Sequence, residues 1–169
     1  MKSNWQASLS AVLKSEGGND DDKQDHGGRT SRGITQREYT AWLKENNRPN
    51  ADVWAALQSD IEAIYLNEYW KPWCDLLPIG ADYMFFDMSV NGGPHEAIIL
   101  GQRALGVTAD GRVGPITREA IRASNSVDLI TKYTAQKEAF YRSLHQPRFL
   151  KGWLNRNKEV YDIAMKMIK

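Results

Sequence analysis

Apolar residues return along this chain at helical intervals almost from end to end. Trp5, Leu9, Val12 and Leu13 share one helical face, the spacing of an amphipathic helix. Gly17-Gly18 predicts where that helix stops. Residues 19–33 are polar and glycine-rich, with no helical period. Gly27, Gly28 and Gly33 mark tight turns there, so a small β-hairpin or irregular insertion is expected. Thr35-Gln36-Arg37-Glu38 is a capping box that opens the next helix, with Tyr39, Trp42 and Leu43 on its apolar face and Asn46 to Pro49 at its end. Ser59-Asp60-Ile61-Glu62 reads as a second capping box, opening a helix through Ile61, Ile64, Tyr65 and Leu66 that Pro72 ends near Trp70.

Residues 83–90 are apolar almost all round, which predicts a central buried helix. Gly92-Gly93 ends it, and Pro94 stands at the first turn of a helix reaching about Leu105. Asp110-Gly111 marks a turn and Pro115 starts a short helix through Ile121. A long helix follows through Leu129, Ile130, Tyr133, Lys137, Phe140, Tyr141 and Leu144, with the lysine stem laid along the apolar face. A last helix spans roughly 149–168. The sum is a mainly α fold with one small insertion near residues 19–33.

Composition changes this picture little. At 169 residues, 41% hydrophobic and 25% charged, the chain can bury roughly 70% of its unfolded surface without staples. Its one cysteine, Cys74, forms no internal disulfide and reads as a small buried apolar group. No apolar run approaches the roughly 18 residues of a membrane span. The Met1-Lys2-Ser3-Asn4-Trp5 start lacks the apolar core of a signal peptide, so synthesis in the cytoplasm, with assisted export, is expected.

Charge is uneven. Residues 1–93 hold 9 Lys and Arg against 14 Asp and Glu, and residues 94–169 hold 13 against 7. A basic second half suggests an anionic partner such as cell wall or outer-membrane lipid. Nucleic acid is not expected, because no basic repeat is interleaved with aromatics. The Asp20-Asp21-Asp22 run lacks EF-hand spacing, and His26, His95 and His145 lack zinc spacing. No metal or cofactor is expected.

Glu16 is the outlier of the first helix. It follows Val12 by four residues and Leu13 by three, on the apolar side and at the helix C-terminus. Burial and the negative helix end both favour the protonated carboxyl, the form that general-acid cleavage of a glycoside needs. By spacing alone it reads equally as a glutamate turned out to solvent.

The block that follows weighs the choice. Glu16-Gly17-Gly18, Asp25, Gly27-Gly28-x-Thr30 and Gly33-Ile34-Thr35 lie within 20 residues. This block resembles glycoside hydrolase family 108, found in phage endolysins and related bacterial muramidases. The resemblance continues in Ile64-Tyr65, Tyr69-Trp70, Phe86-Asp87-Met88-Ser89-Val90-Asn91-Gly92-Gly93 and Lys151-Gly152-Trp153-Leu154-Asn155-Arg156. It implies a lysozyme-like fold, residues 1–93 as the catalytic segment, and cleavage of the β-1,4 bond between N-acetylmuramic acid and N-acetylglucosamine with Glu16 as catalytic acid. It also implies a monomer, released in the manner of an endolysin from the host cytoplasm to the wall or periplasm. Phage-type lysozymes, a looser likeness, have eight residues between the Glu and an Asp and five between that Asp and a Thr. Asp25 fits; the next step falls on Ser31, with Thr30 one position earlier. Either hydroxyl is open as the partner of Asp25, and Asp25 alone also reads as a turn-capping residue.

The remaining candidates are substrate contacts: His26 within the block, Tyr69 and Trp70, and Asp87 with Asn91. The last two are four apart on an otherwise apolar helix and either line the sugar cleft, orient Glu16, or form a structural network at the Gly92-Gly93 turn. Gln102 through Ile121, with its Asp110-Gly111 turn and Gly114-Pro115 helix start, resembles a peptidoglycan-binding motif. Residues 94–169 are therefore expected to form a peptidoglycan-binding region packed against the catalytic segment as one compact unit. Arg103, Arg112, Arg118 and Arg122 are its candidate contacts to anionic stem peptides or lipid phosphates. Residues 147–169, six basic against two acidic, read either as a docked last helix or as an amphipathic segment for the outer membrane.

Overall fold

The computed structural model describes residues 4–15, 19–20, 29–71 and 73–169. Among these residues it is a lysozyme-like, mainly α fold with eight α-helices and one small sheet. The chain divides into two compact units, residues 6–68 and residues 1–5 with 69–169. These packing units and the two motif-bearing segments divide the chain at different places. The helix over 81–92 belongs to the larger unit with the helices of the second half. Its apolar surface runs all round, so it needs cover on every side.

In the smaller unit, α1 spans Trp5–Ser15, its first residue counted with the other unit, and buries Leu9 and Val12. Three two-residue strands follow: β1 (Asn19–Asp20), β2 (Thr30–Ser31) and β3 (Ile34–Thr35), antiparallel in the order β1-β2-β3. The expected hairpin is thus present, with a third strand added. Helix α2 (Gln36–Glu45) opens on the capping box read from sequence: Thr35 accepts from Glu38 N–H, and the Glu38 carboxylate reaches back to Thr35 N–H at 2.8 Å. It buries Tyr39 and Leu43.

The second expected capping box does not form. Helix α3 (Gln58–Ile64) starts one residue before Ser59, with Leu57 as an uncapped start. Asp60 is buried and accepts instead from Tyr39 Oη at 2.9 Å and Arg48 at 2.7 Å. Helix α3 runs on as a wider π-type turn over Tyr65–Trp70 and ends there, as the sequence predicts.

In the larger unit, α4 (Ala81–Gly92) is the hub, packed against α5 (Pro94–Leu105), α7 (Ser126–Ser143) and α8 (Pro147–Met167). Aromatic rings set one side of it. Trp5, Trp70 and Phe86 meet edge to face in a triangle of 5.4–5.5 Å. On another side Phe85 stacks on Tyr133 at 3.8 Å and meets Trp73 at 4.6 Å. Gly101 of α5 leaves room for Phe85: a Cβ there would lie 2.3 Å from its ring.

The Gln102 motif proves structural. The Gln102 amide is buried and donates to Asp110 at 2.7 Å and to the Arg112 carbonyl at 2.9 Å, while its oxygen accepts from Gly111 N–H at 2.9 Å. This knot holds the loop before α6 (Pro115–Ala123), whose proline stands in the first turn as expected. Helix α8 is docked, with Asn157, Val160 and Ala164 buried.

Candidate active site

Glu16, Asp25 and His26 lie outside the described residues. Their flanks are described. Helix α1 ends at Ser15 and β1 begins at Asn19. Asn19 pairs with Ser31 and Asp20 with Thr30, so the segment holding Asp25 and His26 links two paired strands.

Thr30 and Ser31 form the central strand. Neighbouring strand residues point to opposite faces, and the two hydroxyl residues differ accordingly: Ser31 is 1% exposed and Thr30 is half-buried. The turn after them is a two-residue hairpin loop. Arg32 (φ 50°) and Gly33 (φ 82°) both take the left-handed conformation that such a loop requires. A non-glycine residue there costs energy, and three contacts hold it. Tyr65 Oη donates to the Arg32 carbonyl at 2.8 Å, and the Arg32 guanidinium donates to the Ala56 carbonyl at 2.8 Å and to Gln58 at 2.6 Å.

A feature beside Thr30 escaped the sequence reading. Trp54, 39% exposed, donates from its indole N–H to the Thr30 carbonyl at 3.0 Å. Arg29 lies over the Trp54 ring at 4.3 Å and pairs with Asp52. A cation over an indole is attracted by the ring quadrupole. The only signal in the sequence is a lone tryptophan in an aperiodic stretch between Asn46 and Gln58.

The other candidates belong to the larger unit. Trp70 is fully buried, and its indole N–H donates to Asp75 at 2.7 Å. With Trp5 and Phe86 against its ring, it is framework, without a free face for a sugar. Tyr69 is half-buried, and its carbonyl faces the Cys74 thiol at 3.8 Å. Burial pushes the Cys74 thiol well up, so it stays protonated and inert.

Asp87 faces α7 and α8. Its Oδ2 lies 3.1 Å from Lys137 Nζ and its Oδ1 2.7 Å from Arg156. Lys137 is buried whole, its ammonium as well as its stem. Burial pushes the Lys137 ammonium down from its ordinary range, and Asp87 opposes that shift. Asn91 is exposed at the last turn of α4, where its amide donates to the Asp87 carbonyl at 2.7 Å. Asp87 and Asn91 thus form a structural network, with α7 and α8 as its other members.

The comparisons with known proteins bear on the whole chain. The family model described as Glycosyl hydrolase 108 matches residues 9–93, half of the chain. The model described as Predicted Peptidoglycan domain matches residues 96–158. Among solved structures, SagA of Brucella abortus superposes with a TM-score of 0.84 at 30% identity, covering 97% of this chain and 95% of that one. No curated protein sequence matches. A matched catalytic family, a matched peptidoglycan domain and a solved structure alike over nearly its whole length give one conclusion: the chain belongs to the glycosyl hydrolase 108 family and is a peptidoglycan-degrading glycosidase.

Proposed function

We propose that the protein is an endolysin-type N-acetylmuramidase that hydrolyses the β-1,4 bond between N-acetylmuramic acid and N-acetylglucosamine, with Glu16 as general acid. The observation that carries this is the family match over the motif. The catalytic family match contains the whole E-G-G to G-I-T block, and its described part, Thr30–Ser31 and Ile34–Thr35, forms paired strands.

In this mechanism the Glu16 carboxyl gives its proton to the glycosidic oxygen as the bond to muramic acid C1 breaks. The leaving N-acetylglucosamine departs as an alcohol. The sugar cation that forms is balanced by the Asp25 carboxylate. Water adds its oxygen to C1 and gives up a proton, restoring the enzyme and leaving a reducing muramic acid end. Of the two hydroxyls, Thr30 is the one within reach of solvent, so we assign it to water or Asp25 and give Ser31 a packing role. The exposed Trp54 indole offers a stacking surface beside it. The protein acts as a monomer, needs no cofactor, and is delivered from the host cytoplasm to the wall. The basic face of α8 contacts anionic lipid there.

Mass spectrometry of digested muropeptides, wild type beside Glu16→Gln, tests the reading. Reducing-end muramic acid from the wild type and none from the variant supports it. A 1,6-anhydromuramic product would make the protein a lytic transglycosylase. Full turf clearing by Glu16→Gln would remove Glu16 from the mechanism.

A further inference from the structure

Helices α5 and α7 leave between them a groove of about 330 Å³. Arg103, Ala104 and Gly106 line it from the end of α5, and Lys132, Ala135 and Gln136 line it from α7. Among the described residues its lining holds two cations, no carboxylate and no aromatic ring. Arg103 is exposed, and among the described residues neither its guanidinium nor the Gln136 amide has a hydrogen-bond or ion-pair partner. Arg118 and Arg122, by contrast, bond to the Val113 carbonyl and to Glu119. Lys132 pairs with Asp128 one turn away at 2.8 Å, but the two side chains are 58% and 60% exposed. Water screens such a pair and leaves it weak, so the ammonium is available to a second carboxylate.

Helix α5 ends at this groove, and the negative end of a helix disfavours anions. Here the Gly106 and Val107 N–H groups cover the Arg103 and Gln102 carbonyls at 3.1 and 3.0 Å, and the Arg103 charge in the last turn offsets what remains. The lining then selects its ligand. A guanidinium presents paired N–H donors to a carboxylate. The Gln136 amide offers both a donor and an acceptor to a peptide unit. Ala104, Gly106 and Ala135 add little bulk, so an extended chain with small side chains fits between the cations. The volume is at the small end of ligand sites, room for a short stretch of peptide. A neutral sugar ring would gain nothing from the two cations and would find no aromatic face to stack on.

We infer that the groove between α5 and α7 binds a short acidic peptide with alanine side chains, the chemistry of the peptidoglycan stem, and that Arg103 holds one of its carboxylates. Both walls lie in the segment matched by the peptidoglycan-domain model. The inference rests on the glycosidase reading only through its substrate, peptidoglycan, and uses neither Glu16 nor the identity of the bond cleaved.

The test is a titration of the ¹⁵N-labelled full chain with the stem pentapeptide alanyl-γ-glutamyl-lysyl-alanyl-alanine, which contains no glycosidic bond. Saturable shifts are expected at the backbone amides of residues 103–106 and 132–136 and at the Gln136 side-chain amide, with Kd on the order of 1 mM. Arg103→Gln removes the charge from an exposed side chain that holds no other element, so it should weaken binding by about tenfold and leave the melting temperature unchanged. The same peptide with its carboxyls amidated should give no groove shifts. Equal shifts from the amidated and the free peptide, or undiminished binding by Arg103→Gln, would overturn the inference. So would groove shifts with chitotetraose, the β-1,4 tetramer of N-acetylglucosamine, and none with the peptide. Cleavage is not the readout. An active Glu16→Gln would sink the catalytic reading alone, and missing groove shifts would sink this one alone.

Discussion

Lys137 and Asp87, fifty positions apart in sequence, form an ion pair at 3.1 Å in which the two side chains are 0% and 2% exposed. Taking two charges out of water is costly, and here Arg156 brings a second cation to the same carboxylate. The arrangement ties α4, α7 and α8 together. It yields an asymmetric prediction. Asp87→Asn strands a buried ammonium and should destabilise by about 3–5 kcal/mol. Lys137→Met leaves Asp87 paired with Arg156 and places an apolar chain among apolar neighbours, so it should cost less, about 0–2 kcal/mol. Urea unfolding of both variants measures the difference, and equal losses would contradict this account of the pair.

Trp70 supplies a second test, because framework and sugar platform make different demands. Its ring sits in the triangle with Trp5 and Phe86, and its N–H is bonded to Asp75. Trp70→Phe should lower stability by about 2–4 kcal/mol, from lost packing and from the abandoned Asp75 acceptor. KM for peptidoglycan fragments, measured well below the variant's melting temperature, should not change. A raised KM with unchanged stability would return Trp70 to the binding surface.

The Asp60 network predicts a pH response. Burial alone would raise the Asp60 carboxyl; the hydrogen bonds from Arg48 and Tyr39 outweigh it and hold the carboxyl below its ordinary range. A carboxyl with a depressed folded pKa stabilises the fold above its unfolded pKa, about 3.9. That stabilisation is lost as pH falls through the folded value. Asp82 acts in the opposite sense, since burial pushes its carboxyl up, so total stability blurs the effect. The gap between wild type and Asp60→Asn isolates it. The gap should be about 1–3 kcal/mol near neutral pH and should close as pH drops below about 4. A gap constant down to low pH would mean that Asp60 contributes by shape and not by charge.

What the sequence made legible was what local chemistry decides. Thr35 and Glu38 cap α2 as read, Pro94 starts α5, and the mostly apolar stretch 83–90 lies in a helix buried along nearly its whole length. Misreadings came where a distant partner overrode a local rule. Ser59-x-x-Glu62 has the letters of a capping box, but Asp60 inside it is drawn to Tyr39 and Arg48. Lys137 looked like a stem along a helix face, and only a carboxylate from another helix explains its full burial. Trp54 had no periodicity to announce it, since its place is set by the Thr30 carbonyl and the Arg29 guanidinium. The division of the chain at 93 follows two sequence patterns; packing follows α4, which needs helices from beyond that point.

The last prediction separates Thr30 from Ser31. Both are candidates by spacing, but adjacent strand positions face opposite sides, and only one can share a side with the reacting sugar. Ser31 is buried and Thr30 is not. The Thr30 backbone is fixed from three directions: by pairing with Asp20, by pairing with Thr35, and by the Trp54 indole on its carbonyl. A hydroxyl carried on such a backbone is preorganised. Its removal should act on the chemical step, because lost positioning of water or of a carboxylate is felt mainly in the transition state. Thr30→Val keeps the branched shape and removes the hydroxyl, and kcat should fall by about tenfold to a hundredfold with little change in KM. Thr30→Ser restores the hydroxyl and should recover most of the loss. Ser31→Ala should leave kcat within about twofold and shift stability by about 1 kcal/mol. Initial rates on purified peptidoglycan, set beside thermal unfolding of the same four proteins, decide it. A kcat loss confined to Ser31→Ala would exchange the two assignments.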